Sequence, residues 1–266
     1  FVAFSFLEAG LNPKEKFYDD GAYRIGEWQW RSWKRTGHGY VDLRKAIIES
    51  ANVYFYRAAH EYGSSVITKN VKNFGFGKQT GIDIPGEKSG LVPSPEWKKK
   101  RFKEGWYTGD TIIFAIGQGY MTATPLQVAQ AYSVLANGGY AYRPRLVDYI
   151  SDGEIKEETE KVKSIEVKYP SSYYKMMKDA MIGVVEEKNG TGKILRTEGL
   201  KIAAKSGSAQ NSQFKETHAW VAGYFPADNP EIVFVVLLQG AGSGGAVAGS
   251  VAKAFIDEYL SLYGKK

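Results

Sequence analysis

The sequence contains no cysteine. That absence excludes a thiol nucleophile, a disulfide framework and every cysteine-ligated zinc or iron–sulfur site. Histidine is scarce: His38, His60 and His218 lie far apart with no His-x-x-x-His spacing. A metal centre would therefore rest on carboxylates, and beyond Asp19, Asp20 and His38 no further converging ligand can be named, so no metal is expected. Long apolar runs are lacking too. The longest, Ile232 to Leu238, falls far short of the roughly 20 residues that span a bilayer. Internal repeats and low-complexity linkers are absent, so the 266 residues read as one domain. The charge excess is small, 35 Lys and Arg against 29 Asp and Glu, and solubility accounts for it. The 18 Tyr and 6 Trp have no basic repeat beside them, so they suit a core and a binding groove rather than nucleic acid.

What is present is a core-forming composition, 43% hydrophobic and 24% charged, punctuated by 30 glycines. The opening run Phe1 to Ala9, without a leading methionine, reads as a buried helix stopped by Gly10, and suggests a piece of a longer protein. Residues 12 to 40 read as an irregular aromatic loop. Asp42 caps a helix from Leu43 to about Ala51, a second runs from Val53 to Tyr62, and a third from Ser65 to Phe74. Glycines and prolines then break the chain into turns and short strands as far as Pro95. Thr124-Pro125 opens a helix that stops at Gly138-Gly139, residues 140 to 168 alternate as exposed strands, and a long helix follows from Ser171 to about Glu187. Three β-rich runs, Lys201 to Ser208, Ala219 to Tyr224 and Ile232 to Gln239, precede a small-residue helix from Ala246 to Leu262. Asp228-Asn229-Pro230 makes the last two runs a hairpin, so the fold class is α+β with an antiparallel sheet packed between helices, beside a helical subregion.

Two short motifs could carry chemistry. Ser50-Ala51-Asn52 falls where two helices break, and alone it is no more than a turn serine. Lys205-Ser206-Gly207-Ser208 ends an apolar strand and reads as an anion-binding edge. There Lys205 supplies positive potential, Ser206 and Ser208 donate to a carboxylate, and Gly207 leaves room for an approaching peptide backbone. A histidine triad competes: His218 could serve Ser206 or Ser208, but no Gly-x-Ser-x-Gly elbow is present. Gly190-Thr191-Gly192-Lys193 lacks the full phosphate-loop spacing and reads as a helix stop.

Together and in this order, the two motifs match the second and third motifs of the active-serine penicillin-recognising enzymes. Further runs resemble the class B penicillin-binding proteins: Gly109-Asp110-Thr111, Ile116 to Tyr120 with Thr124-Pro125-Leu126-Gln127, and His218-Ala219-Trp220. The stretches Trp30 to Lys34, Gly37-His38-Gly39, Glu96-Trp97-Lys98 and Lys100-Arg101-Phe102 are similar to the branch of that family serving side-wall elongation.

The resemblance implies a penicillin-binding protein/serine β-lactamase-like transpeptidase fold over 1–266 and a peptidoglycan D,D-transpeptidase that acts through a serine acyl-enzyme. The family's first motif, Ser-x-x-Lys-Pro directly ahead of an apolar Phe-Val-Ala helix, is not in this sequence, which opens on that helix. The pairs Ser172/Lys175 and Ser212/Lys215 read as surface coincidences, and the nucleophile is expected just before Phe1, so the fragment alone is expected to be inactive. Ser50, Asn52 and Lys205 are implied as catalytic, with Ser206, Gly207 and Ser208 binding substrate. No cofactor is implied. The implied partners are D-Ala-D-Ala stem peptides, β-lactams, a membrane glycosyltransferase and cell-shape scaffold proteins. The implied location is the periplasmic face of the cytoplasmic membrane, with an N-terminal anchor and a dimerisation module upstream. A D,D-carboxypeptidase or β-lactamase using the same residues, or a non-catalytic sensor of β-lactam or peptidoglycan, stays open.

Overall fold

The computed structural model describes residues 1–264. Helix α1 (Val2–Glu8) lies in the core, with Phe4 and Phe6 fully buried. The stretch expected to be irregular instead holds four short strands: β1 (Phe17–Asp19), β2 (Ala22–Ile25), β3 (Trp28–Arg31) and β4 (Gly39–Val41). β2 pairs with β3 inside the ribbon made by β1 and β4. Three- and four-residue strands show too little alternation to be read from sequence. The chain leaving β1 and the chain entering β4 approach closely at Gly37, where φ is +73° and a Cβ would lie 2.1 Å from the Asp19 carbonyl oxygen.

Asp42 caps α2 (Leu43–Ile48) by accepting from the Lys45 N–H at 2.9 Å. That helix ends earlier than its apolar pattern suggests, because Ser50 takes a left-handed φ of +54°. The chain then re-enters helix as α3 (Asn52–Tyr62) and, after Gly63, as α4 (Ser64–Asn73). Two helices lie where sequence gave no element. In α5 (Pro95–Phe102), Ser94 caps the first turn, and in α6 (Thr108–Phe114), Asp110 accepts from the Tyr107 N–H at 2.8 Å. The same carboxylate takes the buried Lys98 ammonium at 2.6 Å, joining α5 to α6. α7 (Pro125–Ala136) opens on a reciprocal capping box between Thr124 and Gln127.

Strands β5 (Tyr140–Tyr142), β6 (Tyr149–Ser151), β7 (Lys156–Glu158) and β8 (Lys163–Glu166) form two small ribbons, followed by the long α8 (Ser171–Glu186). The main sheet comes last: β9 (Ala203–Ala209), β10 (His218–Phe225) and β11 (Ile232–Leu238), antiparallel in the order β11-β10-β9. A π-helical turn at Gly244–Ala248 leads into α9 (Gly249–Tyr263).

Strand alternation divides the sheet between two cores. Ala203, Ala222 and Tyr224 pack with the residues of α1, α7 and α8, while Ala204, Val221 and Phe225 pack with Ala252 and Ile256 of α9. The sheet is thus sandwiched between helices, as the α+β reading expects. β9 is an edge strand, so its outer side is open to whatever lies opposite.

Candidate active site

Register decides how the Lys-Ser-Gly-Ser run is presented. Lys205 stands opposite Ala222 and shares its face, toward the helical subregion, whereas Ser206 and Ser208 stand opposite Val221 and Ala219 and face the α9 side. On the helical side sits the α2–α3 junction. There Lys205 Nζ donates to Ser50 Oγ at 2.9 Å, although the two residues are 155 positions apart, and also donates to the Ser206 carbonyl at 2.8 Å. The left-handed turn at Ser50 keeps its hydroxyl in the cleft while its carbonyl accepts from Trp33 Nε1 at 3.0 Å.

The resulting cleft has a volume of about 590 Å³, and Ser50, Asn52, Ser206, Gly207 and Ser208 all line it. Asn52 opens α3 and donates to the Tyr56 hydroxyl at 3.4 Å. Ser208 is tied on both sides: its carbonyl accepts from Gln118 Nε2 at 3.2 Å and its hydroxyl from the Gly244 N–H at 3.1 Å. Gly244 has to be glycine, because a Cβ there would fall 2.0 Å from the Gly207 carbonyl oxygen.

The electrostatics are one-sided. Lys34, Lys188 and Lys193 line the cleft alongside a single carboxylate, Glu49. Glu49 is already engaged: His38 Nδ1 lies 2.7 Å from one of its oxygens, Asn189 donates to the other at 3.2 Å, and these contacts hold its carboxyl below the usual range despite burial. No carboxylate pairs with Lys205 among the described residues, and desolvation pushes its ammonium down to about 8. An ammonium stripped of water between a hydroxyl and a backbone carbonyl can supply positive potential to an anion and exchange a proton with Ser50.

Sequence reasoning assembled the two motif segments but not their supports. Trp33, His38, Glu49, Gln118, Asn189 and Thr191 all reach the site. Trp33, His38 and Gln118 lie in runs already carrying the family resemblance; Glu49 and Asn189 show no signal beyond their neighbours. The rival histidine is placed elsewhere. His218 Nδ1 accepts from the Gly240 N–H at 3.1 Å, and among the described residues neither a serine nor a carboxylate bonds to its ring. Asp20 pairs with Arg24 and His38 with Glu49. Ser172 and Ser212, each beginning an internal Ser-x-x-Lys, are exposed and do not line the cleft.

Comparison with known proteins gives a consistent result. The model of the penicillin binding protein transpeptidase domain matches residues 1–257. The peptidoglycan D,D-transpeptidase MrdA of Haemophilus influenzae is 38% identical over 269 residues, covering 94% of this chain and 41% of that protein. The chain thus spans less than half the length of the curated relatives it matches. Among solved structures, PBP2 of Pseudomonas aeruginosa in complex with WCK 5153 is 36% identical, with a TM-score of 0.88 over 97% of this chain and 59% of that one. PBP2 of Helicobacter pylori in complex with MreC is 31% identical, with a TM-score of 0.86 over 98% of this chain and 48% of that one.

Proposed function

Because the chain belongs to the penicillin-binding protein transpeptidase family, we propose that it carries the acyl-transfer chemistry of a peptidoglycan D,D-transpeptidase of cell elongation. The observation that carries this reading is the 2.9 Å hydrogen bond from Lys205 to Ser50, which joins two motifs with no other reason to meet. In this reading the donor is a stem peptide ending in D-Ala-D-Ala. A serine outside these 266 residues, in a Ser-x-x-Lys segment, attacks the penultimate carbonyl and gives its proton to that segment's lysine. The tetrahedral oxyanion collapses, the peptide bond breaks, and D-alanine leaves as a neutral amine after taking a proton through Ser50 Oγ. The amine of a neighbouring stem peptide then displaces the serine, forming the cross-link and returning the proton.

The remaining roles follow from charge and reach. Lys205 holds the field positive and keeps the Ser50 hydroxyl oriented, Asn52 hydrogen-bonds the donor amide, and Ser206 and Ser208 take the terminal carboxylate. The Ser208 N–H is one oxyanion donor, the attacking serine's own N–H the other. β-Lactams copy the donor terminus and acylate the same serine. The same reading assigns the whole protein to the periplasmic face of the cytoplasmic membrane, anchored outside these residues; no described helix is long and apolar enough to cross a membrane. A membrane glycosyltransferase and a shape scaffold are its partners in this reading, the second by analogy with the MreC bound to the H. pylori relative.

Intact-mass spectrometry after incubation with a penicillin tests the proposal. A longer protein carrying a Ser-x-x-Lys segment ahead of Phe1 should gain one adduct, and the 266-residue chain should gain none. In the longer protein, Ser50→Ala should slow acylation by about 10²–10⁴ and His218→Gln far less. A stoichiometric adduct on a serine of this chain, or an inert His218→Gln beside an active Ser50→Ala, would overturn the assignment.

A further inference from the structure

The loop from Lys188 to Lys193 contains the Gly190-Thr191-Gly192-Lys193 run that sequence alone reads as a helix stop, and it lines the cleft between the two motif-bearing elements. Two of its side chains reach opposite walls. Asn189 Nδ2 donates to Glu49 Oε1 at 3.2 Å, and Glu49, which directly precedes Ser50, is held on its other oxygen by buried His38 at 2.7 Å. Thr191 Oγ1 lies 2.7 Å from Ser206 Oγ, on the far wall.

The loop between these contacts is tied back onto α8. The last carbonyls of α8, which a helix end leaves unpaired, are taken up by the loop and the residues after it. The Gly192 N–H donates to the Val184 carbonyl at 2.9 Å, and the Gly190 N–H to that of Glu187 at 3.0 Å. Arg196 Nε donates to the Val185 carbonyl at 2.9 Å, and Lys193 Nζ to the Lys188 carbonyl at 2.9 Å. A Cβ at Gly190 would fall 2.3 Å from the Val184 carbonyl oxygen, so the loop closes onto the helix only with glycine there. The two walls also meet through Lys205, which donates to Ser50 Oγ at 2.9 Å and to the Ser206 carbonyl at 2.8 Å, but that contact ties neither wall to the end of α8.

We propose that Asn189 and Thr191 are positioning residues, and that the loop between them is a strut fixing the distance between Ser50 and Ser206 across the acyl-donor site. Asn189 acts through Glu49 and Thr191 through Ser206, so each wall is referenced to the end of α8. The inference rests on the reading of the cleft as an acyl-transfer site, because only there does the spacing of proton relay and carboxylate site govern a rate.

The test is stopped-flow acylation of the longer, Ser-x-x-Lys-bearing protein by a chromogenic β-lactam, resolving the limiting rate constant from the apparent binding constant. Thr191→Val keeps the shape and removes the hydroxyl, and should lower the limiting rate constant about three- to tenfold, the worth of one hydrogen bond, with Tm unchanged. Thr191→Ser should restore the parent rate; if Thr191→Val does not fold, Thr191→Ala carries the same expectation. Asn189→Ala should slow acylation similarly, and the double variant should lose less than the product of the two, because either break releases the same strut. Parent-like acylation by Thr191→Val, a Thr191→Ser as slow as the valine variant, or fully multiplicative losses would overturn the strut. A parent protein that takes up no β-lactam would instead overturn the acyl-transfer reading itself, and the strut's role with it.

Discussion

Lys205 concentrates the chemistry of the site in one side chain. Its ammonium is held against desolvation by Ser50 Oγ and the Ser206 carbonyl, with no carboxylate among the described residues paired to it. Lowered from the ordinary 10.5 to about 8, it binds fewer protons in the folded chain than in the unfolded one between those values. Its contribution to stability therefore rises with pH across that window, and the charged form costs most below about 8. The positive field it supplies runs the other way and is lost as pH rises through about 8. Acylation of the longer protein by a chromogenic β-lactam should accordingly decline through that pH. Lys205→Ala should be about ten- to a hundredfold slower at pH 7, the loss of one charge-assisted contact, and flatter across the same range. Its Tm at pH 7 should hardly fall, because the residue lies on an edge strand and its burial is itself a cost. Unchanged kinetics in Lys205→Ala would put the anion site elsewhere.

At the scale of an element, two glycines of the main sheet do different work. Gly223 lies inside β10, where a Cβ would stand 2.4 Å from the Ala203 carbonyl oxygen of β9. Gly207 lies on β9 at the cleft, where a Cβ would meet the Trp220 Cβ at an ordinary 3.6 Å. Gly223→Ala should therefore push the two strands apart and cost about 1–3 kcal/mol, seen as a lower midpoint in chemical denaturation. Gly207→Ala should leave that midpoint in place and slow acylation, because the new methyl enters the path of the donor backbone. Equal stability losses in the two variants would contradict this division. Both positions are legible in sequence as glycines in strands. Which one makes room for a neighbouring strand and which for a ligand depends on the pairing of β9 with β10, and that is long-range information.

Across the whole molecule, three lysines besides Lys205 ring the cleft, while its one carboxylate is engaged by His38 and Asn189. Such a basin should speed encounter with carboxylate-bearing donors and should do so less in salt. The second-order acylation rate constant of the longer protein should fall a few-fold, on the order of two to five, between low and about 0.5 M salt, while the limiting rate constant stays fixed. A salt-independent second-order constant would show that the lysines exert no field on the approaching donor. The cleft lies where the helical subregion meets the open edge of the sheet, so every feature of it depends on how those two parts are packed.

The sequence by itself determined the elements that are long and strongly patterned: the α3 and α8 helices, the Thr124-Pro125 start of α7, and the β10–β11 hairpin. Local signals suffice there, because capping, periodicity and turn chemistry act within a few residues. It also set the order of Ser50-Ala51-Asn52 and Lys205-Ser206-Gly207, and with it the family resemblance. The short ribbons between residues 17 and 41 came only with the tertiary structure because strands of three or four residues carry too little alternation, and the helices at Pro95–Phe102 and Thr108–Phe114 because the buried Lys98–Asp110 pair that joins them leaves no periodic signal. The same is true of the supports around the site. Glu49 is an ordinary acidic residue at a helix end until His38 and Asn189 close on it, and Thr191 an ordinary loop residue until Ser206 comes within 2.7 Å. Hydrogen bonds between residues far apart in the chain leave no period and no local composition, so packing alone decided them.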